Sequence, residues 1–199
     1  MRSREVRREV SFARTDASSV LGAGKETGLA AGDCETIERQ LGRPPRGRVE
    51  VERRCARGAP IVIRTAPQLE DGAPFPTLFW LTCPLMVKEV SRQEDAGAIA
   101  EIGKRLLREP ACLERLAEAA REYALERDGG KPRLGGVAGS GRAEGIKCLH
   151  AHLAHYLARG TNPVGRMVHE KLHERGDATC GTGAGEMRRD GEICESCRF

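Results

Sequence analysis

The 199-residue chain has few aromatic residues, no long hydrophobic run and little excess charge of either sign. Aromatic residues make up 4% of the chain, so a folded core must be built mainly from aliphatic side chains. No apolar stretch approaches the roughly 20 residues that a membrane-spanning helix needs, which excludes insertion into a membrane. The formal net charge of +4 is too small by itself to indicate a nucleic-acid-binding protein.

The chain also lacks the pattern of a secretory signal, because no apolar stretch follows the arginines of residues 1–15. The predicted location is therefore the cytoplasm, where the eight cysteines are expected to stay free thiols. Cys34 and Cys112 lie in helical patterns without a neighbouring Cys or His, and we expect both to be buried as small apolar groups. The other six cysteines and the five histidines are the candidates for chemistry.

Segments rich in β-forming residues come before segments with helical periodicity. Residues 48–54, 60–65 and 77–82 carry β-branched and aromatic side chains between turn signals. From residue 84 onward, apolar residues recur at helical spacing in several segments. This order predicts an α+β fold, with a small, mainly antiparallel sheet of about three strands followed by a helical C-terminal half.

We divide the chain into a flexible extension (residues 1–32), a single α+β domain (33–175) and a cysteine-containing tail (176–199). The domain is expected to open with a helix capped by Asp33 and ended by Gly42. The glycine-rich residues 128–142 are expected to form a flexible connection to a helix from about Glu144 to Ala158.

The segment GIKCLHAHLAH, residues 145–155, concentrates ligand-type side chains. On a continuous helix Cys148, His152 and His155 share a stripe about 60° wide, whereas His150 lies among apolar residues. Thiolate and imidazole are the ligands that Zn²⁺ prefers, so the spacing favours a zinc site. A solvated polar face with His150 as a core histidine is the alternative.

Cys148 also has the surroundings of a nucleophile, since it lies beside Lys147 in the first turn of the expected helix. The helix dipole and the lysine both favour a thiolate, and a nearby His supplies a base. No segment indicates an oxyanion hole or a substrate pocket, so this thiol-dependent enzyme is the second hypothesis.

Two further groups of ligand-type residues occur along the chain. Cys55 and Cys83 each follow a predicted strand, where they are either ligands or core residues. A weaker set lies towards the end of the sequence: His169, His173, Cys180, Cys194 and Cys197. The Cys194–Cys197 pair is typical of half a zinc or iron–sulfur site, and it could join the two histidines or close a site with Cys55, Cys83 and Cys148. An unstructured end whose thiols bind nothing is the alternative.

A basic segment, residues 43–57, holds six Arg against two Glu and could contact an anion or a protein partner. No aromatic residue is interleaved with these arginines to stack on bases, so nucleic acid is not the expected ligand and a solvated face is predicted. A metal-free interaction module that uses this segment is the third hypothesis.

Five segments together carry a family pattern: QLGRPPRG (40–47), RCARGAPIVIRTAP (54–67), PFPTLFWLTCP (74–84), IKCLHAHLAH (146–155) and NPVG (162–165). Over about residues 33–174 they resemble an uncharacterised bacterial family, domain of unknown function 501. The resemblance implies a cytoplasmic bacterial protein of unassigned activity, and it leads us to expect a protein partner in cell division or the cell envelope.

The family pattern also implies a ligand set of Cys148, His150 and His155, with His152 as a departure from it. Cys55 and Cys83 lie within matching segments. This set conflicts with the helical stripe unless the helix begins only after Cys148, which would leave Cys148 and His150 free to approach each other. We therefore predict a Zn²⁺ site of structural or regulatory role, formed by a subset of six residues: Cys55, Cys83, Cys148, His150, His152 and His155. An iron–sulfur cluster is the alternative cofactor.

Overall fold

The computed structural model describes residues 29–69, 72–130 and 133–174. In these ranges a first helix and three strands precede the remaining helices, which confirms the α+β fold with a helical C-terminal half. The first four elements are α1 (Asp33–Leu41), β1 (Val49–Arg54), β2 (Pro60–Thr65) and β3 (Phe79–Leu81). The helices that follow are α2 (Pro84–Asp95), α3 (Ala98–Arg108), α4 (Pro110–Arg127), α5 (Leu149–Arg159) and α6 (Pro163–Glu174). None of the helices in the described ranges is both long and apolar enough to cross a membrane.

The three strands form an antiparallel sheet in the order β1-β2-β3. In the central strand, Ile63 pairs with Val51 on one side and with Trp80 on the other. Ile61, Val62 and Ile63 are all buried, because both faces of the sheet are covered. Ile63 packs in a small cluster with Ile37 of α1, whereas Val62 belongs to the main core with the helices of the C-terminal half.

The main core is aliphatic with a few aromatic side chains, as the composition predicts. Helix α5 lies at its centre, where Leu149, Leu153 and Leu157 are each at most 1% exposed. Phe79 of β3 contacts Tyr123 of α4 edge-on, with their ring centroids 5.8 Å apart. The sheet therefore fixes one side of α5, and the neighbouring helices enclose the rest.

Three predicted boundaries are wrong. Asp33 is the first residue of α1 rather than its cap, because its carboxylate accepts hydrogen bonds from Ala30 and Arg54. The third strand is confined to Phe79–Leu81, since the N–H of Leu78 donates to the Tyr123 hydroxyl.

The third correction concerns α5, which begins at Leu149 and not near Glu144. Gly145 closes a turn by donating its N–H to the Arg142 carbonyl at 3.1 Å. Cys148 is extended, with φ −157° and ψ 125°, and it precedes the first helical residue. A helix that starts after Cys148 is the condition under which Cys148 and His150 can approach each other.

The division into residues 1–32, 33–175 and 176–199 stays a prediction. Residues 1–28 and 175–199 lie outside the described part of the chain, and the structure therefore does not test either terminal segment.

Candidate metal centre

The candidate centre lies where the last turn of α2 meets the first residues of α5. It contains the Cys148 thiol, the His150 imidazole and the Glu94 carboxylate, whose donor atoms all lie within 4.8 Å of one another. All three residues are partly buried. Within residues 29–69, 72–130 and 133–174, no other three Cys, His, Asp or Glu side chains converge in this way.

His150 is the central member of the group. Its Nδ1 lies 3.5 Å from the Cys148 Sγ and 3.3 Å from Glu94 Oε1. On the opposite side of the ring, Nε2 lies 3.1 Å from the Val87 carbonyl oxygen and 3.3 Å from Ser91 Oγ. A carbonyl oxygen only accepts hydrogen bonds, so Nε2 carries a proton and donates it. In the neutral ring, the Nδ1 lone pair therefore points at the sulfur and the carboxylate.

The surroundings of His150 favour positive charge at Nδ1. Burial by itself lowers the pKa of this histidine, but Cys148, the Val87 carbonyl and the Glu94 carboxylate raise it to about 9. The raised pKa means that these neighbours stabilise a positive charge on the His150 ring, and two of them, Cys148 and Glu94, lie on its Nδ1 side. A proton can satisfy this preference, and a metal ion can compete for the same position.

Glu94 links the centre to the backbone of α5. Its Oε1 accepts the Leu149 N–H at 2.6 Å and so satisfies an N–H group that the helix start leaves without an intrahelical partner. Glu94 carries no local sequence signal, because it lies in an ordinary polar run, residues 92–95, far from the Cys148 segment in the chain. No local spacing pattern relates the two segments.

The structure separates His152 and His155 from the centre. Both are 1% exposed, and their Nδ1 atoms lie 3.1 Å from the side-chain nitrogen of Asn162. Asn162 also accepts the Gly165 N–H at 2.9 Å, and this contact ties α5 to the start of α6. Burial lowers the pKa of His152 to about 4 and that of His155 to about 3, so both are neutral near pH 7.

The remaining cysteines of the first candidate set lie in the core. Cys55 and Cys83 are 3% and 0% exposed. The sulfurs of Cys55, Cys83 and Cys148 do not all lie within 4.8 Å of one another, so these three residues do not form a ligand group. Cys112 is buried as expected, but the expectation for Cys34 is wrong, because it lies on the exposed side of α1. The iron–sulfur alternative is not tested and stays a prediction.

The second candidate set is only partly within the described residues. His169 and His173 lie one turn apart on α6, with their Nε2 atoms 3.0 Å apart. Cys180, Cys194 and Cys197 lie outside the described part of the chain, so whether they join the histidines is untested.

The basic segment is partly engaged in structural contacts. Arg53 donates to the Leu157 carbonyl at 2.7 Å, and Arg54 forms an ion pair with Asp33. The Arg43 guanidinium lies 5.8 Å from the centre of the Trp80 ring, an aromatic neighbour that the local sequence does not show. A role of this segment in binding a protein partner stays a prediction.

Comparison with known proteins identifies a family but no activity. A family model described as "Protein of unknown function (DUF501)" matches residues 51–170, which are 120 of the 199 residues. This range contains all three residues of the candidate centre. No curated protein and no solved structure matches the chain.

Proposed function

The chain belongs to the DUF501 family, whose function is unknown, and we propose from its own geometry that it binds a metal ion through Cys148, His150 and Glu94. The observation that carries the proposal is the convergence of three different donor atoms within 4.8 Å at a partly buried junction of two helices. A thiolate, an imidazole and a carboxylate form a ligand set that suits Zn²⁺.

The contacts of His150 support this reading over a chance cluster. Ligand histidines in metal sites usually donate their second N–H to a carbonyl or carboxylate, which fixes the ring orientation. Here the Val87 carbonyl occupies that position, 3.1 Å from Nε2, and Nδ1 is left facing the other two donors. The proposed ligands Cys148 and His150 belong to both the predicted set and the family pattern. Glu94 takes the place of the other predicted ligands, which lie elsewhere in the fold: Cys55, Cys83, His152 and His155.

The proposed role is structural or regulatory. An ion at this position would join the last turn of α2 to the first residues of α5, whose first N–H already bonds to Glu94. We place this role in a reducing cytoplasm, where Cys148 stays available as a ligand. Three protein ligands leave a fourth position of a tetrahedral ion open to water or another donor.

The test compares the metal content and thermal stability of the wild type with those of Cys148→Ser and Glu94→Gln. We expect about one zinc ion per wild-type chain and little in either variant, because each loses a ligand. The amide introduced by Glu94→Gln keeps an oxygen that can accept the Leu149 N–H, so a loss of metal in this variant would reflect ligation rather than a lost helix cap. Cys34→Ser is the matched control, because Cys34 is exposed and lies on α1.

Chelation provides the second readout. Zinc at 100 times its dissociation constant stabilises the folded state by about 2.7 kcal/mol. A chelator should therefore lower the Tm of the wild type and of Cys34→Ser but leave that of Cys148→Ser unchanged. Equal metal content in the wild type and Cys148→Ser would overturn the proposal.

A thiol-dependent enzyme is the second candidate, favoured by the 3.5 Å contact between the Cys148 Sγ and His150 Nδ1. In this reading His150 takes the thiol proton and Cys148 attacks an electrophile. The same samples discriminate the two readings by iodoacetamide labelling at about pH 7. Protection by added zinc supports the metal site, whereas rapid labelling that zinc does not slow supports the nucleophile.

A further inference from the structure

Helix α6 presents two histidines whose ring nitrogens face each other. His169 and His173 are four positions apart, so they lie on the same side of the helix. Their Nε2 atoms are 3.0 Å apart, and the ring planes are inclined at 70°. Two imidazoles can share only one proton along this line, so one Nε2–H donates to the lone pair of the other.

The two rings differ in how firmly they are held. His169 is 5% exposed, and its ring lies 5.4 Å from that of Tyr156 on α5, which fixes its orientation. His173 lies one turn further along and is exposed to solvent. The pair therefore combines a firmly held inner ring with an outer ring on an exposed residue.

Both histidine rings are neutral near pH 7. Burial lowers the pKa of His169 to about 4, and burial also lowers the pKa of His173. Neither ring therefore carries a net charge near pH 7 that would repel a cation. Two ion pairs lie near the histidines on α6, Arg166 with Glu170 and Lys171 with Glu101.

We propose that His169 and His173 form a second metal site, which binds a divalent first-row transition ion through both Nε2 atoms. Two nitrogens 3.0 Å apart, each about 2.05 Å from an ion, subtend an angle of about 94° at the ion. This angle suits two adjacent positions of an octahedral or tetragonal ion such as Ni²⁺, with water in the remaining positions. The ion replaces the shared proton at Nε2, and the ring that loses it takes up a proton at Nδ1.

This site is separate from the Cys148 centre and does not depend on it. The Cys148 centre uses the end of α2 and the start of α5, whereas the histidine pair lies on α6. The ligand chemistry is also different, because a pair of imidazoles at this angle favours Ni²⁺ or Cu²⁺ over a tetrahedral zinc site.

The test is isothermal titration of the tag-free, full-length protein with Ni²⁺. His173→Gln removes the outer ligand at an exposed position and should weaken binding at this site by about tenfold or more, because the second ligand no longer acts at high effective concentration. Glu174→Gln is the matched control, since it changes the neighbouring exposed residue and should bind Ni²⁺ as the wild type does.

Histidine ring signals in the NMR spectrum provide the second readout. Ni²⁺ is paramagnetic, so it should broaden the C–H signals of His169 and His173 in both the wild type and Cys148→Ser, while those of His152 and His155 stay sharper. Equal Ni²⁺ affinity of the wild type and His173→Gln would overturn the proposal, as would sharp His169 and His173 signals at saturating Ni²⁺. Either result would identify the pair as a hydrogen bond alone.

Discussion

Gly165, near the start of α6, lies where the fold leaves no room for a side chain. A Cβ atom there would lie 2.1 Å from the His152 carbonyl oxygen and 2.5 Å from the Tyr156 Cβ. Both are parts of α5, so the absence of a side chain allows the two helices to cross closely. The same approach places the Gly165 N–H where it donates to Asn162.

Gly165→Ala should therefore destabilise the protein, whereas Gly103→Ala should not. Forcing a methyl group into a filled interface costs about 1–3 kcal/mol or more, since the backbone of α5 must shift. Gly103 lies inside α3, where a methyl group would meet no atom from another part of the fold within 4 Å, so alanine there should stabilise by about 0.5–1 kcal/mol. Urea denaturation of both variants measures this contrast, and equal effects would contradict it.

At the scale of elements, α1 depends on its contacts with the sheet. It has nine residues, and an isolated helix of that length is marginal in water. Ile37 packs against the sheet, and Asp33 forms two hydrogen bonds with Arg54 of β1, at 2.8 and 2.6 Å. This ion pair lowers the pKa of Asp33 and ties the first turn of α1 to the end of β1.

Asp33→Asn should weaken this attachment by about 1–3 kcal/mol, because hydrogen bonds to charged groups are worth more than neutral ones and Arg54 is only 14% exposed. The control is Glu109→Gln, which removes the partner of Arg105 in an ion pair about half exposed on both sides. Exposed pairs contribute about 0–1 kcal/mol, so the control should lose less. Similar losses in the two variants, measured by urea denaturation, would show that the Asp33 pair adds nothing beyond a surface contact.

At the scale of the whole molecule, buried neutral histidines make the folded state sensitive to acid. His152, His155 and His169 have folded-state pKa values of about 4, 3 and 4, below the usual value of 6.5. A lowered histidine pKa contributes stability that is present above the unfolded value and is lost as pH falls towards the folded value. The folded-state pKa of His150 is raised instead, to about 9. Its contribution to the free energy of unfolding is therefore fully present below about pH 6 and does not change as the pH falls further.

Stability should therefore fall between about pH 6 and pH 5, because unfolding takes up a proton at each of the three buried histidines. Each such group adds about 1.4 kcal/mol per pH unit once its unfolded form is fully protonated. The free energy of unfolding in urea, measured across this range, checks the slope. His155→Gln should reduce this slope by roughly the contribution of one of the three histidines. A free energy of unfolding that does not change with pH in the wild type would contradict the neutral burial of these rings.

The local pattern determined the larger features of the fold. The strand at Pro60–Thr65, the helix end at Gly42 and the helix that Pro110 opens follow from β-branched runs, glycine and proline, whose preferences act over a few residues. The same pattern identified Cys148 and His150 as candidates. It could not decide between a continuous helix and one that begins after Cys148, because that depends on the turn at Gly145 and on what the first N–H groups of α5 bond to.

The sequence by itself determined the α+β order, the candidate Cys and His ligands and the family to which the chain belongs. Only the tertiary structure decided which histidines meet which partners. Glu94 joins Cys148 and His150 because α2 packs against α5. The Glu94 carboxylate there accepts the N–H of Leu149, which lies 55 positions away in the chain. His152 and His155 turn instead towards Asn162, since their side of α5 faces the core. Side chains on one short segment are thus divided between a polar junction and the interior, and only packing makes that division.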